Sequence, residues 1–406
     1  MNDNTQDKSH KSPQQSANSK IHGVGRLTID AVLAVTDIVE SLHSRISPLS
    51  GLHKKSEEEQ LSGISGLVYR NIRNVTQWVG KNIDVPLGAI NKTLASEPDS
   101  ASAQTLLAAL NGVLGDYLFV RDNPLAIPMH FRRDGQILTD EQLIEIINQS
   151  NGTLLIMAHG LCMNDIQWCR EGHDHGAELA KESGMAAIYL HYNSGRHISD
   201  NGKQFAALLE SLVQVTDKKL DINILAHSMG GLVSRSAFHV AQSSGHKWPE
   251  RLNKLVFLGT PHHGAALEKA GNWIDLILGA HAYTVPFARL VKVRSAGITD
   301  LRYGNVQQSD WHTTERFEFS GDQRQPLPLP DSVCCFAVAT SAKESIHYPL
   351  GDGLVRIKSA LGEHRNSVFH LQFPETHKWV GTHINHMQLL NDPEIYQVLR
   401  TWFEIH

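Results

Sequence analysis

The chain has 406 residues, of which 41% are hydrophobic and 19% charged, and its formal net charge is -5 at pH 7. These values are typical of a globular chain with one large domain and an appendage, or with two or three average domains. They exclude the basic surface that nucleic-acid binding requires, so no nucleic-acid partner is expected. The four cysteines, Cys162, Cys169, Cys334 and Cys335, provide no disulfide framework and are expected to be reduced thiols.

The first 20 residues are polar and rich in Asn, Gln, Ser and Lys. Because they contain no apolar core, they are predicted to form a disordered tail, neither a secretory signal nor a membrane anchor. No window of about 18 consecutive apolar residues predicts a membrane span elsewhere. Together with the reduced thiols, these features predict a cytoplasmic protein.

Residues 21–125 are predicted to form a helical N-terminal region. Apolar residues recur at steps of three and four over 27–46 and again over 64–79, which is the period of one helix face. A third run, Ala/Leu-rich, covers 101–114 and follows a helix-start signal. Such faces pack in a small bundle, dock on a neighbouring domain or lie on a membrane surface, so peripheral membrane contact through these helices is one hypothesis.

Residues 126–406 alternate apolar strand-like runs with helical patterns, which predicts a mostly parallel sheet covered by helices on both faces. The strand-like runs cover 153–158, 186–191, 222–226, 254–258, 333–339 and 368–373, and the helical patterns cover 174–183, 201–215, 229–243 and 388–404. Tyr117–Val120 and Pro128–Phe131 are candidate antiparallel strands at one edge. The stretch 264–330 breaks the alternation, and an insertion there is expected over the carboxyl ends of the strands.

A serine motif lies at 226–231, where Ala-His-Ser-Met-Gly-Gly directly follows the apolar run 222–225. A buried strand that turns through small-x-Ser-x-Gly into a helix holds the serine hydroxyl on a sharp turn. Ala241-Gln-Ser-Ser-Gly245 fits the same string, but it follows a helix and is typical of a helix C-terminus. Ser228 is therefore the candidate nucleophile.

A serine nucleophile also requires donors for the oxyanion that develops on the substrate. The strand-like run 153–158 ends in His159-Gly160-Leu161, a turn that allows a backbone N–H to face a substrate carbonyl. We predict that the oxyanion donors are the backbone amides of Leu161 and of Met229, the residue after the serine. Residues 192–197 also follow a strand, and they either border the site or form a surface loop.

The acid and the base are expected at the ends of later strands. Asp352, flanked by glycines, is the candidate acid, and its rivals are Asp275, Asp322 and Asp331. Three histidines lie in the expected place for the base: His377, His383 and His386. His386 is preferred because it is nearest the entrance of the last predicted helix, and His383 is the main alternative.

These motifs, in this chain order, resemble the lipase and inositol-deacylase-like branch of the α/β-hydrolase superfamily. The resemblance covers roughly 150–406 and rests on five segments: His159-Gly160-Leu161, the motif at 226–231, Gly259-Thr-Pro-His-His-Gly264, Asp352-Gly-Leu-Val355 and Asn385-His386. It implies an α/β-hydrolase fold, a mostly parallel central sheet flanked by helices, with 264–330 as a lid-like insertion. Two departures are Ala226 in place of glycine and an extra segment, Glu375–Gly381, which keeps the choice between His386 and His383 open.

The resemblance implies a serine hydrolase that cleaves carboxylic esters, lipid-like acyl esters in particular, through a Ser228–His386–Asp352 triad and an acyl-enzyme. A thioesterase or an acyltransferase would use the same triad, and a membrane- or protein-docking module with a vestigial hydrolase domain is a further alternative. No cofactor is expected. No metal is expected either, because His173-Asp174-His175 and His262-His263 match no zinc-binding spacing.

Overall fold

The structure is a computed structural model, and it describes residues 100–265, 295–312, 322 and 324–405. The chain separates into two compact units, Met1–Gln104 with Arg121–Leu125, and Thr105–Val120 with Ala126–His406. The helices predicted over 27–46 and 64–79, and much of the lid-like insertion, lie outside the described residues. The second unit contains the sheet.

The strands are β1 (His130–Arg133), β2 (Gln136–Ile137), β3 (Thr153–Ala158), β4 (Ala186–His191), β5 (Asp221–His227), β6 (Leu252–Leu258), β7 (Cys334–Ser341) and β8 (Lys378–Thr382). They form one sheet in the order β2-β1-β4-β3-β5-β6-β7-β8. β1 pairs antiparallel with β2 and β4, and every other pairing is parallel. This mixed sheet, flanked by helices, has the predicted α/β-hydrolase fold.

The helices are α1 (Ala101–Val120), α2 (Asp140–Gln149), α3 (His175–Ser183), α4 (Ile198–Gln214), α5 (Met229–Ser244), α6 (Ala296–Tyr303), α7 (Ser309–His312), α8 (Ile357–Ala360) and α9 (Pro393–Trp402). Local sequence sets several of these bounds. Thr139 and Gln142 form a capping box at the start of α2, and Asp392 caps α9. Gly184 and Gly245 end α3 and α5 in the left-handed conformation.

The core includes the central strands β3, β5 and β6, whose apolar side chains are buried. Leu155, Leu225 and Val256, one from each of these strands, pack in a cluster that also includes Trp168 and Leu399 of α9. Close packing around these strands leaves little freedom where they end. The carboxyl ends of β3, β5 and β6 are therefore a rigid frame for side chains that follow them.

The helix predicted over 101–114 is confirmed, and it continues to Val120. The strand predicted at 117–120 is therefore wrong, because Leu118 is buried as a further residue of the helix. By length and composition α1 is also apolar enough to cross a membrane. Its apolar residues are not consecutive, so the sequence pattern predicts no membrane span here. Within its most apolar 18-residue stretch, 61% is buried inside the molecule. The strand predicted at 128–131 corresponds to β1.

The strand predicted at 368–373 is wrong as well. Ser367–Phe369 is a short 3-10 turn and Val368 is exposed. The last strand is β8, which overlaps the segment Glu375–Gly381 that departs from the family pattern and ends one residue beyond it. Because β8 is an edge strand that pairs only with β7, its residues are partly exposed and its sequence lacks a continuous apolar run.

Candidate active site

Ser228 lies between the last residue of β5 and the first residue of α5. Its backbone has φ 55° and ψ -122°, a conformation that a residue with a side chain rarely adopts. The Ser228 N–H donates to the Leu258 carbonyl at 2.9 Å, which ties this turn to the end of β6. A Cβ on Gly230 would lie 2.2 Å from the carbonyl oxygen of Ala158, so glycine is required where the helix starts against β3. Ser228 therefore lies on a strained turn between a strand and a helix.

Asp352 and His386 form a buried pair. The His386 Nδ1–H donates to Asp352 Oδ2 at 2.7 Å, and each side chain is 1% exposed. The other carboxylate oxygen of Asp352 accepts the backbone N–H groups of Leu354 at 2.9 Å and Val355 at 2.8 Å. Since Nδ1 carries the proton, Nε2 of His386 has a free lone pair. Nε2 is buried and forms no hydrogen bond within the described chain, so in this structure it is not hydrogen-bonded to Ser228.

The ends of β5 and β6 both contact this pair. Gly259 directly follows β6, and a Cβ there would lie 3.2 Å from Asp352 Oδ2 and 3.3 Å from His386 Cε1. His227 precedes Ser228, its ring centroid is 4.7 Å from that of His386, and its Nε2–H donates to the His386 carbonyl at 3.1 Å. The same two strand ends that hold Ser228 thus also hold the Asp352–His386 pair.

The turn after β3 lies against Ser228. A Cβ on Gly160 would lie 3.1 Å from the Cβ of Ser228. The backbone amides of Leu161 and Met229 donate to no other group in the part of the chain that the structure describes. Two free N–H groups on either side of a serine are suited to bind an oxyanion.

Residues after β4 hold this turn in place, a role that sequence reasoning did not assign to them. The Tyr192 hydroxyl donates to the His159 carbonyl at 2.8 Å, and the two rings stack at 4.3 Å. The Ser194 hydroxyl accepts the Cys162 N–H at 3.0 Å. Their position in the sequence could have indicated this role, because 192–197 directly follow β4, the strand next to β3.

Two histidines near Ser228 stay neutral. Burial lowers the pKa of His159 to about 4, and burial together with the nearby His386 holds the pKa of His227 well below its usual range. Neither residue therefore adds a positive charge beside the serine at neutral pH. Each neutral ring has one donor nitrogen, which for His227 is the Nε2 that donates to the His386 carbonyl.

The other candidate bases lie away from Asp352. His383 is exposed in the loop after β8, with φ 61°. The ring of His377 stacks on Phe336 at 4.1 Å, and its Nδ1 is 3.0 Å from the Cys335 carbonyl. Of the three histidines considered, His386 is the one that the structure brings to Asp352.

The rival acids have other surroundings. Asp322 pairs with Arg324 at 2.8 Å, and Asp331 is exposed. Asp275 lies outside the described residues. Ser243, from the second serine motif, is in the last turn of α5, where its hydroxyl donates to the backbone carbonyls of His239 and Val240. It forms no strand-to-helix turn.

Both histidine-rich segments, 173–175 and 262–263, lie in the described part of the chain. No group of three or more His, Cys, Asp or Glu side chains suited to a metal is found there. His173 and His175 instead hydrogen-bond each other at 2.7 Å, and His175 reaches the Leu389 carbonyl at 3.2 Å.

Residues 119–300, less than half of the chain, match the model of a family described as a domain of unknown function, DUF7379. A search of curated proteins finds no match to this chain. Among solved structures, the lipase BlEst2 of Bacillus licheniformis in its mature form is 19% identical, with a TM-score of 0.40 over 61% of this chain and 90% of that one. The carboxylesterase CesB of Bacillus subtilis is 13% identical, with a TM-score of 0.35 over 64% and 97%. The RedJ thioesterase of Streptomyces coelicolor is 14% identical, with a TM-score of 0.35 over 63% and 90%. At these levels the likenesses carry no information on the substrate.

Proposed function

We propose that this protein is a serine hydrolase that cleaves carboxylic esters, of the lipase and inositol-deacylase-like branch of the α/β-hydrolase superfamily. The observation that carries the proposal is the buried Asp352–His386 pair. The ring of His386 has a free Nε2 and packs against the strand ends that hold Ser228. A carboxylate that fixes a histidine tautomer beside a strained serine is the arrangement that nucleophilic acyl transfer requires.

In the proposed reaction, His386 Nε2 takes the proton of the Ser228 hydroxyl as Oγ attacks the acyl carbonyl carbon. The carbonyl oxygen becomes an oxyanion, which accepts hydrogen bonds from the Leu161 and Met229 amides. Asp352 stabilises the imidazolium, which then protonates the leaving alkoxide as the ester C–O bond breaks. Water, deprotonated by His386, attacks the acyl-enzyme, and the imidazolium returns this proton to Ser228 Oγ as the acyl C–O bond breaks and the carboxylic acid leaves. Each oxyanion donor of this kind contributes about 3 to 4 kcal/mol to transition-state stabilisation.

The substrate is proposed to be a lipid-like acyl ester. Support comes from the sequence of the insertion, which has apolar residues at 274 and 276–278, and from the family resemblance. Thioester cleavage and acyl transfer begin with the same attack by serine, so they differ from this proposal in the leaving group or the acceptor.

Ester hydrolysis by the purified full chain tests the proposal. We expect p-nitrophenyl esters, graded from acetyl to palmitoyl, to be cleaved with a preference that reports the depth of the acyl pocket. Ser228→Ala should lower kcat about 10³-fold or more. Ser243→Ala, from the motif in the last turn of α5, should leave kcat unchanged. If the Ser228→Ala variant hydrolysed esters as fast as the unchanged protein, the proposal would be contradicted. If the protein cleaved matched thioesters much faster than esters, the function would be that of a thioesterase.

A further inference from the structure

Arg235 is a buried cation on α5 that forms no ion pair within the described chain. It is 6% exposed, and it lies two helical turns beyond Ser228, about 10 Å along the axis. Its Nη2 donates to the Leu327 carbonyl and its Nη1 to His262 Nδ1, whereas its buried Nε has no partner. Burial and the nearby Arg324 lower the pKa of Arg235 to about 10, which leaves the guanidinium charged at neutral pH.

A second donor without a partner lies beside it. His262 is 1% exposed, and burial together with Arg235 holds its pKa well below the usual range, so the ring is neutral. Because Nδ1 accepts from Arg235, the proton of this ring is on Nε2. That Nε2 is also buried and without a partner. Buried donors are nearly always satisfied in native proteins, so two such donors together require an explanation.

Arg235 and His262 line the same small cavity, which we call the Arg235 cavity. It has a volume of about 20 Å³, and Arg324, Asp310 and Phe369 also line it. A cavity of this size holds roughly one particle as large as a water molecule. It is therefore far too small for an acyl ester and is separate from the proposed ester site.

The other charged groups around the cavity have hydrogen-bond or ion-pair partners. Asp310 accepts the backbone N–H groups of Val306, Gln307 and Gln325 at 2.9 to 3.0 Å. Arg324 pairs with Asp322 at 2.8 Å. Among the described residues that line the cavity, Arg235 and Asp310 thus form no ion pair. The charge of Asp310 raises the pKa of Arg235 less than burial lowers it, so it offsets only part of the cost of burying the guanidinium.

We propose that the Arg235 cavity binds one inorganic anion of halide size, held by Arg235 Nε–H and His262 Nε2–H. A water molecule would accept the same two hydrogen bonds, but it would form no ion pair with the buried guanidinium. The anion links α5 to the loop after β6 and to the segment around Leu327. Its binding is therefore expected to stabilise the part of the fold next to the helix that starts at Met229.

Thermal unfolding at constant ionic strength and neutral pH tests this proposal, with sodium gluconate replaced stepwise by sodium chloride or bromide. Gluconate is too large for the cavity. We expect Tm to rise and saturate as halide replaces gluconate, because a ligand that binds only the folded state stabilises it. Arg235→Met should abolish the rise, and Arg133→Met, which removes an exposed arginine, should preserve it. The same rise in the Ser228→Ala variant would show that the effect is independent of ester hydrolysis.

A second measurement keeps the proposal testable if Arg235→Met does not fold. Crystals of the unchanged protein grown in sodium bromide should show an anomalous peak within hydrogen-bond distance of Arg235 Nε. A Tm that does not depend on the anion, or the lack of a bromide peak at this place, would overturn the proposal and indicate water. A Tm that rises with phosphate but not with halide would overturn the proposal that the anion is of halide size.

Discussion

Asp352 uses its two carboxylate oxygens differently. Oδ1 is held by two backbone N–H groups, and Oδ2 accepts the His386 Nδ1–H at 2.7 Å. The His386 backbone N–H also donates to the Asp352 carbonyl at 2.9 Å, so main chain and side chain both fix the pair. The orientation of the imidazole therefore depends on the carboxylate and on the loop that carries it.

Asp352→Asn tests this dependence. The amide oxygen should keep the two backbone N–H groups, which turns the amide nitrogen toward His386 Nδ1. Nδ1 must then accept a hydrogen bond, the proton moves to Nε2, and Nε2 can no longer take the serine proton. We expect kcat for ester hydrolysis to fall about 10³-fold or more with little change in Tm. Asp331→Asn, an exposed rival acid, is the control, and a kcat near that of the unchanged protein in Asp352→Asn would argue against the assigned role.

At the scale of elements, the loop after β6 connects the serine to its partners. Gly259 has φ 57°, and a Cβ there would lie 2.5 Å from Leu389 Cδ1 and close to both Asp352 and His386. Ser228 in turn is bound through its N–H to Leu258, the residue before Gly259. A small shift of this one loop would thus change the distance between nucleophile and base.

Gly259→Ala should therefore impair catalysis more than stability. We expect kcat to fall about tenfold or more through misplacement of the pair, with a stability cost of about 1 to 3 kcal/mol from the left-handed backbone. Gly245→Ala is a matched control, since Gly245 has φ 67° and a Cβ there meets no atom within 4 Å. The control should lose stability alone. If both variants showed the same kcat in steady-state assays, the proposed coupling through this loop would be wrong.

Elements buried on both faces could be predicted from sequence, and edge elements could not. β3, β5 and β6 are enclosed by neighbours, so most of their residues are apolar and they match the predicted strands closely. β8 has one neighbour and partly exposed residues, and its pattern was missed. The strand-to-helix turn at Ser228 could be predicted because its signal is local, a strand followed by small residues.

Other parts of the site depend on contacts that no local pattern encodes. Asp352 could be ranked above its rivals only by chain order and its flanking glycines, and His386 only by chain order and its position near a helix, because their contact joins two distant loops. Tyr192 and Ser194 support the turn after β3 through hydrogen bonds between loops, so nothing in their own sequence indicated that function.

At the scale of the whole molecule, several histidines are buried in the neutral form. Burial lowers the pKa of His159 to about 4 and that of His175 to about 3, from a usual value of 6.5. The pKa values of His191, His227 and His262 are lowered as well. The unfolded chain binds protons at these residues below pH 6.5, whereas the folded chain does not until pH falls further.

The free energy of unfolding should therefore decrease as pH falls from 6.5 toward about 4. Each such histidine contributes a slope of up to about 1.4 kcal/mol per pH unit in this range. Asp165 and Asp174, whose pKa values are raised by burial, oppose the trend at its acid end. Urea unfolding at stepped pH measures the slope, and His159→Gln should reduce it by removing one titrating group. A free energy of unfolding that stays constant over this range would refute the expectation.

Covalent labelling tests whether Ser228 is the nucleophile. A fluorophosphonate reacts with a serine only when that serine is activated by a base, so intact-protein mass spectrometry reports nucleophile and base together. We predict one adduct on the unchanged protein and on Ser243→Ala, mapped by peptide analysis to Ser228, and none on Ser228→Ala. An adduct on another residue, or undiminished labelling of Ser228→Ala, would contradict the account.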